Sequence, residues 1–272
     1  MSQMKRIEVK DLQFSYADGS PVLKGLTFSL DERPVALIGQ NGAGKTTFVK
    51  LLKGLLRPSA GHICFEGQDI ADMTVAGLAK DIGLVFQNPD DQIFENTVLD
   101  EVMFGPLQIG METRQAKASS LEALKVVGLQ GQEMTNPYDL GLSDRKMVSI
   151  AAVLAMQTDV VILDEPTIAQ DYEGKERLKK IIADLAANHT IVISILHDMD
   201  FVAEVFQRVI VLADGKVALD STPREVFANQ ELLKAAHLSQ PSVTQLCRAL
   251  GSDEVFLSTD EFVRYYQSLK RG

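Results

Sequence analysis

Gly39-Gln40-Asn41-Gly42-Ala43-Gly44-Lys45-Thr46 fits the pattern G-x-x-x-x-G-K-[S/T], and its flanks make the match specific. The apolar run Val35-Ala36-Leu37-Ile38 precedes it, and Phe48, Val49, Leu51, Leu52 and Leu55 follow it at helical spacing. The stretch therefore reads as strand, loop and helix. Glycines let a backbone wrap phosphates, while free amides and a helix N-terminus supply positive potential. Lys45 is placed to reach the β and γ oxygens, Thr46 to offer its hydroxyl to Mg²⁺, and the nest closes at Thr47. A glycine-rich turn that only capped a structural helix would need neither the lysine nor the hydroxyl.

Outward from this loop, Val160-Val161-Ile162-Leu163 runs into Asp164-Glu165. A strand ending in two acids places both at the carboxyl edge of a sheet, where open α/β folds bind ligands. Asp164 is expected to hold the Mg²⁺ shell and Glu165 to polarise an attacking water. Val35–Ile38, Val160–Leu163 and Thr190–Ile195 are too continuously apolar for one wet face, so each reads as a central strand of a largely parallel sheet. Ile7-Glu8-Val9, Phe14-Ser15-Tyr16 and Leu26–Leu30 instead alternate, with Asp18-Gly19 as a turn, and predict an antiparallel hairpin or small sheet. Thr97 can cap a helix over 98–104 with Pro106 beyond its end, and Arg114–Val127 has helical periodicity. A helical subdomain is thus expected at about 88–156. Thr222-Pro223-Arg224-Glu225 is a capping box, repeated by Ser258 and Glu261, so 221–272 reads as a small helical appendage to a domain spanning 1–220.

Composition narrows the function. The 272 residues carry 27 basic and 37 acidic side chains, a formal charge of −10, whereas a domain gripping nucleic acid by its phosphates is usually basic. The longest apolar runs, such as Ile150–Met156, fall far short of the ~20 residues of a membrane span. Cys64 and Cys247 stand alone, without ligand spacing. The expectation is a soluble, intracellular, reduced protein without a structural metal. His62, His189 and His237 read as structural or solvated.

With both nucleotide motifs in place, residues 4–220 resemble the ATP-binding cassette (ABC) family. The resemblance implies an α/β P-loop core with an antiparallel β subdomain and an inserted helical subdomain, ATPase activity, and ATP with Mg²⁺. It assigns Tyr16 to adenine stacking and Gln87 to the Q-loop glutamine that touches Mg²⁺ and water. Asp171 matches the D-loop aspartate of the dimer interface, and His197 the switch histidine on the γ-phosphate. Catalytic roles fall on Glu165, His197 and Gln87, metal contacts on Thr46, Gln87 and Asp164, and nucleotide contacts on residues 39–47 with Tyr16.

The family signature, Leu-Ser-Gly-Gly-Gln, is altered. The equivalent stretch is Leu140-Gly141-Leu142-Ser143-Asp144, or, slid by two, Leu142-Ser143-Asp144-Arg145-Lys146; either register lacks the glycine pair. In the family this motif binds the γ-phosphate held by the opposite subunit. Leu142 lacks glycine's freedom of approach, and Asp144 brings negative charge towards the phosphates. The resemblance then implies a heterodimer with one competent and one degenerate site, a homodimer with two weakened sites being the alternative.

Val85-Phe86-Gln87-Asn88-Pro89-Asp90-Asp91-Gln92-Ile93-Phe94, Glu101–Pro106 and the tail Pro241–Leu246 look like the ATPases of energy-coupling factor (ECF) transporters. That likeness implies an ATPase energising import of vitamins or transition-metal ions, peripheral on the cytoplasmic face of the membrane. Its partners would be a second cassette, a transmembrane coupling subunit and a substrate-binding membrane subunit, and the appendage would add dimer contacts. The alternative is the ATPase of a conventional binding-protein-dependent importer. A single cassette argues against two-cassette soluble ATPases, and the interval from 46 to 164 leaves no room for a DNA-repair coiled coil.

Overall fold

Strand β1 (Ile7–Ser15) pairs with β2 (Pro21–Leu30), and β3 (Val35–Ile38), α1 (Lys45–Leu52), β4 (Ala60–Phe65), β5 (Gln68–Asp69), α2 (Val75–Asp81) and β6 (Ile82–Val85) follow. Next come α3 (Val98–Gln108), α4 (Thr113–Val126), α5 (Leu142–Ala155), β7 (Val160–Asp164), α6 (Tyr172–Ala187), β8 (Ile191–Ile195) and α7 (Met199–Val205). The hairpin β9 (Arg208–Ala213) and β10 (Lys216–Ser221) leads to α8 (Pro223–Ala228), α9 (Gln230–Ala235), α10 (Ser242–Ala249) and α11 (Thr259–Leu269). The computed structural model describes residues 6–17, 19–252 and 254–269; Asp18 of the expected turn lies outside them.

The strands form two sheets, an antiparallel one in the order β2-β1-β4-β5 and a second in the order β10-β9-β3-β8-β7-β6. From β9 to β6 the second sheet is parallel. Its continuous apolar runs have a direct cause. Ala36, Ile38, Val161, Leu163, Val192 and Val209 pack on one side into a core shared with α5, α6 and the helical segment. Val35, Leu37, Val160, Ile162, Ile193 and Ile210 pack on the other against α1 and the antiparallel sheet. Both faces are dry, so a period-two pattern has nothing to report. The amide of Lys24 donates to Gly215 O (2.8 Å), tying the antiparallel sheet to the β9–β10 turn.

Two local expectations need correction. Pro106 does not lie beyond α3 but inside it, buried, with the helix running to Gln108. It costs only one internal bond near the last turn, which closes through Ile109 N to Gly105 O (3.1 Å). At α11 the capping box is one-sided: Glu261 N donates to Ser258 Oγ (3.2 Å), but its carboxylate accepts from Leu257 N (2.8 Å). The box at Thr222 and Glu225 is complete.

Candidate active site

In the sheet order, β6, β7, β8 and β3 are neighbours, so everything at their carboxyl ends faces one strip. The phosphate loop leaves β3 there, Asp164 and Glu165 end β7, His197 follows β8 and Gln87 follows β6. Together they line a cavity of about 450 Å³ with Tyr16, Asn41, Gly42, Gly44, Thr46 and Thr47, walled on the apolar side by Val22 and Ile195.

The loop is built by glycines that other residues cannot replace. A Cβ on Gly39 would lie 2.2 Å from the Leu212 carbonyl oxygen of β9, and one on Gly44 2.4 Å from Leu23. Gly44 (φ 102°) caps α1 without a side-chain hydrogen bond, leaving first-turn amides free for an anion. Lys45, 6% exposed, donates to Gly39 O (2.6 Å) and Gln40 O (3.1 Å), holding the loop closed. Burial depresses its pKa, an effect opposed by Glu165 and Asp164. Gly39, Gln40 and Ala43 therefore shape the loop from behind rather than line the cavity. Tyr16 stands at the rim, edge-on to Phe14 at 4.9 Å, its hydroxyl 3.3 Å from Thr47 Oγ1; the ring is 43% exposed.

Opposite the loop, burial raises the Asp164 carboxyl, with the Glu165 charge adding to it and Lys146 and Lys45 opposing. Burial likewise raises Glu165 against the pull of Lys45 and Lys146. Glu165 has φ 51°, left-handed for a residue with a side chain, and its amide donates to Ile195 O (3.0 Å), pinning it to β8. Its Oε1 lies 3.2 Å from His197 Nε2. Burial and then Lys45 lower the His197 pKa, against the pull of Asp164, and so favour the neutral ring. Thr46, Asp164 and Gln87 offer hard oxygen donors. Among the described residues no cluster of three or more acid, histidine or cysteine ligands exists. That sparse set fits Mg²⁺, which keeps waters and takes phosphate oxygens instead of a full protein cage.

Gly141, Leu142, Ser143, Asp144 and Asp171 are not brought into this cavity. Gly141 is the N-cap of α5 and Leu142 its first residue, 42% exposed. Ser143 Oγ donates to Gln170 Oε1 (3.1 Å) and Gln170 Nε2 donates to Ser143 O (3.2 Å), so this serine is engaged within its own chain. Gln170 has room only because residue 174 is glycine, where a Cβ would sit 2.2 Å from its Oε1. Asp171 caps α6 through Gly174 N (2.8 Å).

Sequence reasoning passed over Gln170 and, above all, gave Lys146 no role beyond the last place in the slid signature register. Lys146 is 1% exposed, and burial pushes its pKa down to about 8, against the pull of Asp164 and Glu165. A cation among the apolar positions Met147, Val148 and Ile150 was the available signal.

A loop of free amides facing paired carboxylates suits a polyphosphate carried with a divalent cation, and this places the fold among the P-loop nucleoside triphosphatases. The family model described as ABC transporter matches residues 23–168, and the chain belongs to that family, as an ATP-hydrolysing cassette. Over 251 residues it is 40% identical to the energy-coupling factor transporter ATP-binding protein EcfA of Methanocaldococcus jannaschii, covering 91% of this chain and 90% of that protein. It is 37% identical over 264 residues to EcfA2 of Caldanaerobacter subterraneus, covering 93% and 92%. Among solved structures, CbiO1 of Clostridium perfringens, described as part of the ABC transporter complex CbiONQ, superposes with a TM-score of 0.76 at 32% identity, covering 89% of this chain and 98% of that one.

Proposed function

We propose that this chain is the ATPase subunit of an energy-coupling factor importer of vitamins or transition-metal ions, working as one of two cassettes beneath membrane partners. The observation that carries the reading is the single cavity where loop, acid pair, glutamine and histidine meet, in a chain 40% identical to a protein named for that role.

The triphosphate lies against the part of the loop that lines the cavity, Asn41, Gly42 and Gly44 to Thr47, with Lys45 released from its two carbonyls to the β and γ oxygens. The adenine packs on the exposed Tyr16 ring. Thr46, Asp164 and Gln87 would hold a magnesium ion, which when bound would neutralise charge on the phosphoryl oxygens. Glu165, its proton affinity raised by burial, orients and deprotonates the attacking water. Neutral His197, 3.2 Å from Glu165, is poised to donate to the γ-phosphate. Phosphoryl transfer needs little beyond this positioning and charge.

Two surfaces support the partners. An apolar groove of about 490 Å³ between α2, α3 and α5 is lined by Val75, Leu84, Phe86, Phe94, Phe104 and Met156. Phe94, 58% exposed, stands edge-on to Phe104 at 4.7 Å. We assign the groove to a helix of the transmembrane coupling subunit, which would hold the chain on the cytoplasmic face of the membrane. Among the described residues no helix is long and apolar enough to cross it. The second surface is the α5 entrance. With Leu142 and Asp144 there and Ser143 held by Gln170, it is a poor γ-phosphate donor, which supports pairing with a different cassette that supplies an intact signature. Residues 221–272, we propose, add to that dimer contact.

The test is affinity purification from detergent-solubilised membranes, with ATPase assay of the product. Co-purification of a second cassette with coupling and substrate-binding membrane subunits, and loss of those membrane subunits in Phe94→Asp, is the expected result. Recovery with a periplasmic-type binding-protein system would refute the energy-coupling assignment. Vigorous turnover by the isolated homodimer, abolished by Glu165→Gln, would refute the asymmetric pair.

A further inference from the structure

Lys146 is a lysine where packing alone asks for none. Its neighbours on α5, Met147, Val148, Ile150 and Ala151, are buried and apolar, and a methionine at this position would fill the same slot. Removing an ammonium from water is costly unless its hydrogen bonds are replaced. Here all three donors find acceptors: Phe86 O at 2.5 Å, Gln87 O at 2.9 Å and Asp164 O at 2.9 Å. The acceptors are backbone carbonyls, not a carboxylate, so the interaction fixes chain segments rather than neutralising a charge.

The segments are the two strand exits that carry Gln87 and Asp164. Two consecutive carbonyls bound by one ammonium fix the orientation of the two peptides flanking Gln87, and with them the direction in which the Gln87 side chain leaves the backbone. The third bond sets the end of β7 against the same point. Gln92 closes the arrangement from the other side: its Oε1 accepts from Phe86 N (3.0 Å) and its Nε2 donates to Ser149 O (3.3 Å), one turn along α5 from Lys146.

We propose that Lys146 is a positioning residue for ATP hydrolysis, its buried ammonium clamping the Gln87 loop and the end of β7 to α5 so that Gln87 and Asp164 meet one ligand in fixed register. The proposal rests on the ATPase reading above. It also makes α5, whose N-terminus is the altered signature, move with the residues that sense the nucleotide.

The experiment compares wild type, Lys146→Met, Lys146→Gln, Gln87→Ala and the double variant Gln87→Ala with Lys146→Met, each as full chain co-purified with its partners, by ATPase kinetics and by calorimetric titration with Mg-ATP. Misplacement of about 1 Å at a reacting centre can cost about 100-fold, so kcat of Lys146→Met should fall about 10- to 100-fold while KM and the ATP Kd stay within about threefold. Lys146→Gln, with two donors, should recover part of kcat. The combined Gln87→Ala and Lys146→Met losses should fall well short of their product, because one acts through the other. If the methionine variant does not fold, the glutamine variant carries the same kcat-against-KM split at smaller size. Wild-type-like kcat in a folded Lys146→Met, or fully multiplicative losses, overturns the proposal. Absence of ATP turnover in the wild-type complex would overturn the ATPase reading instead.

Discussion

Gly39→Ala tests the phosphate loop at its most constrained point. Gly39 has φ 155°, and an added Cβ would lie 2.2 Å from Leu212 O and 3.2 Å from Ala43 Cβ. The closest approach that real Cβ atoms tolerate is about 3.0 Å, so loop and strand must part by roughly 0.8 Å. Leu212 O belongs to the backbone of β9, which is held to β3 through the Ile38–Val211 register and cannot rotate away as a side chain would. The unfavourable backbone conformation costs about 1–3 kcal/mol and the overlap a similar amount. A total of about 2–6 kcal/mol corresponds to about 30- to 25,000-fold, divided between folding and nucleotide affinity. Displacing Gly39 also moves the carbonyl that holds Lys45. Gly42 is the internal control for stability without nucleotide: it has φ 83°, but a Cβ there meets no protein atom within 4 Å, so in the ligand-free chain Gly42→Ala carries only the conformational term of about 1–2 kcal/mol. Urea denaturation and Mg-ATP calorimetry on both variants measure the two shares. Gly39→Ala with wild-type midpoint and ATP affinity within twofold, or a larger loss of nucleotide-free stability at Gly42 than at Gly39, would refute the steric reasoning.

Lys45→Met should weaken ATP binding at least about 100-fold through lost charge-assisted bonds. Its nucleotide-free form should be no less stable than wild type, because a buried ammonium is gone; thermal scans with and without Mg-ATP separate the effects. Glu165→Gln should bind ATP while turnover drops about 100- to 10,000-fold. Without nucleotide it should also be more stable than wild type at pH 7. Burial raises the folded pKa of Glu165 above 4.5, so its penalty is complete above that folded value and vanishes below 4.5; the advantage should shrink as the pH falls through this window. His197→Ala should lower kcat about 100-fold with ATP affinity within threefold, read by paired steady-state and binding measurements; unchanged turnover would remove His197 from the mechanism.

The loop at 39–47 was legible because its chemistry is contiguous: strand, anion nest and helix follow one another within a few residues. The acids at 164 and 165 were legible for the same reason, as the end of an apolar run. Strands β4 and β6 were not, since Ala60–Phe65 carries Gly61 and His62 and Ile82–Val85 is four residues with a glycine; both form because a neighbouring strand already offers its edge. Pro106 was read as a helix stop, but local propensity yields to the packing that buries it.

By itself, then, the order of residues determined the nucleotide chemistry and the parallel sheet with two covered faces, since both are written in nearest neighbours and in hydrophobic runs. Only the tertiary structure decided that Gln87, Asp164 and His197 share one cavity with the loop, that Ser143 is tied to Gln170, and that Lys146 is clamped to residues 86, 87 and 164. Those relations depend on which strands lie side by side and on backbone carbonyls up to 60 residues away in sequence. Every residue carries such a carbonyl, so no pattern of side chains announces which ones a buried ammonium will find.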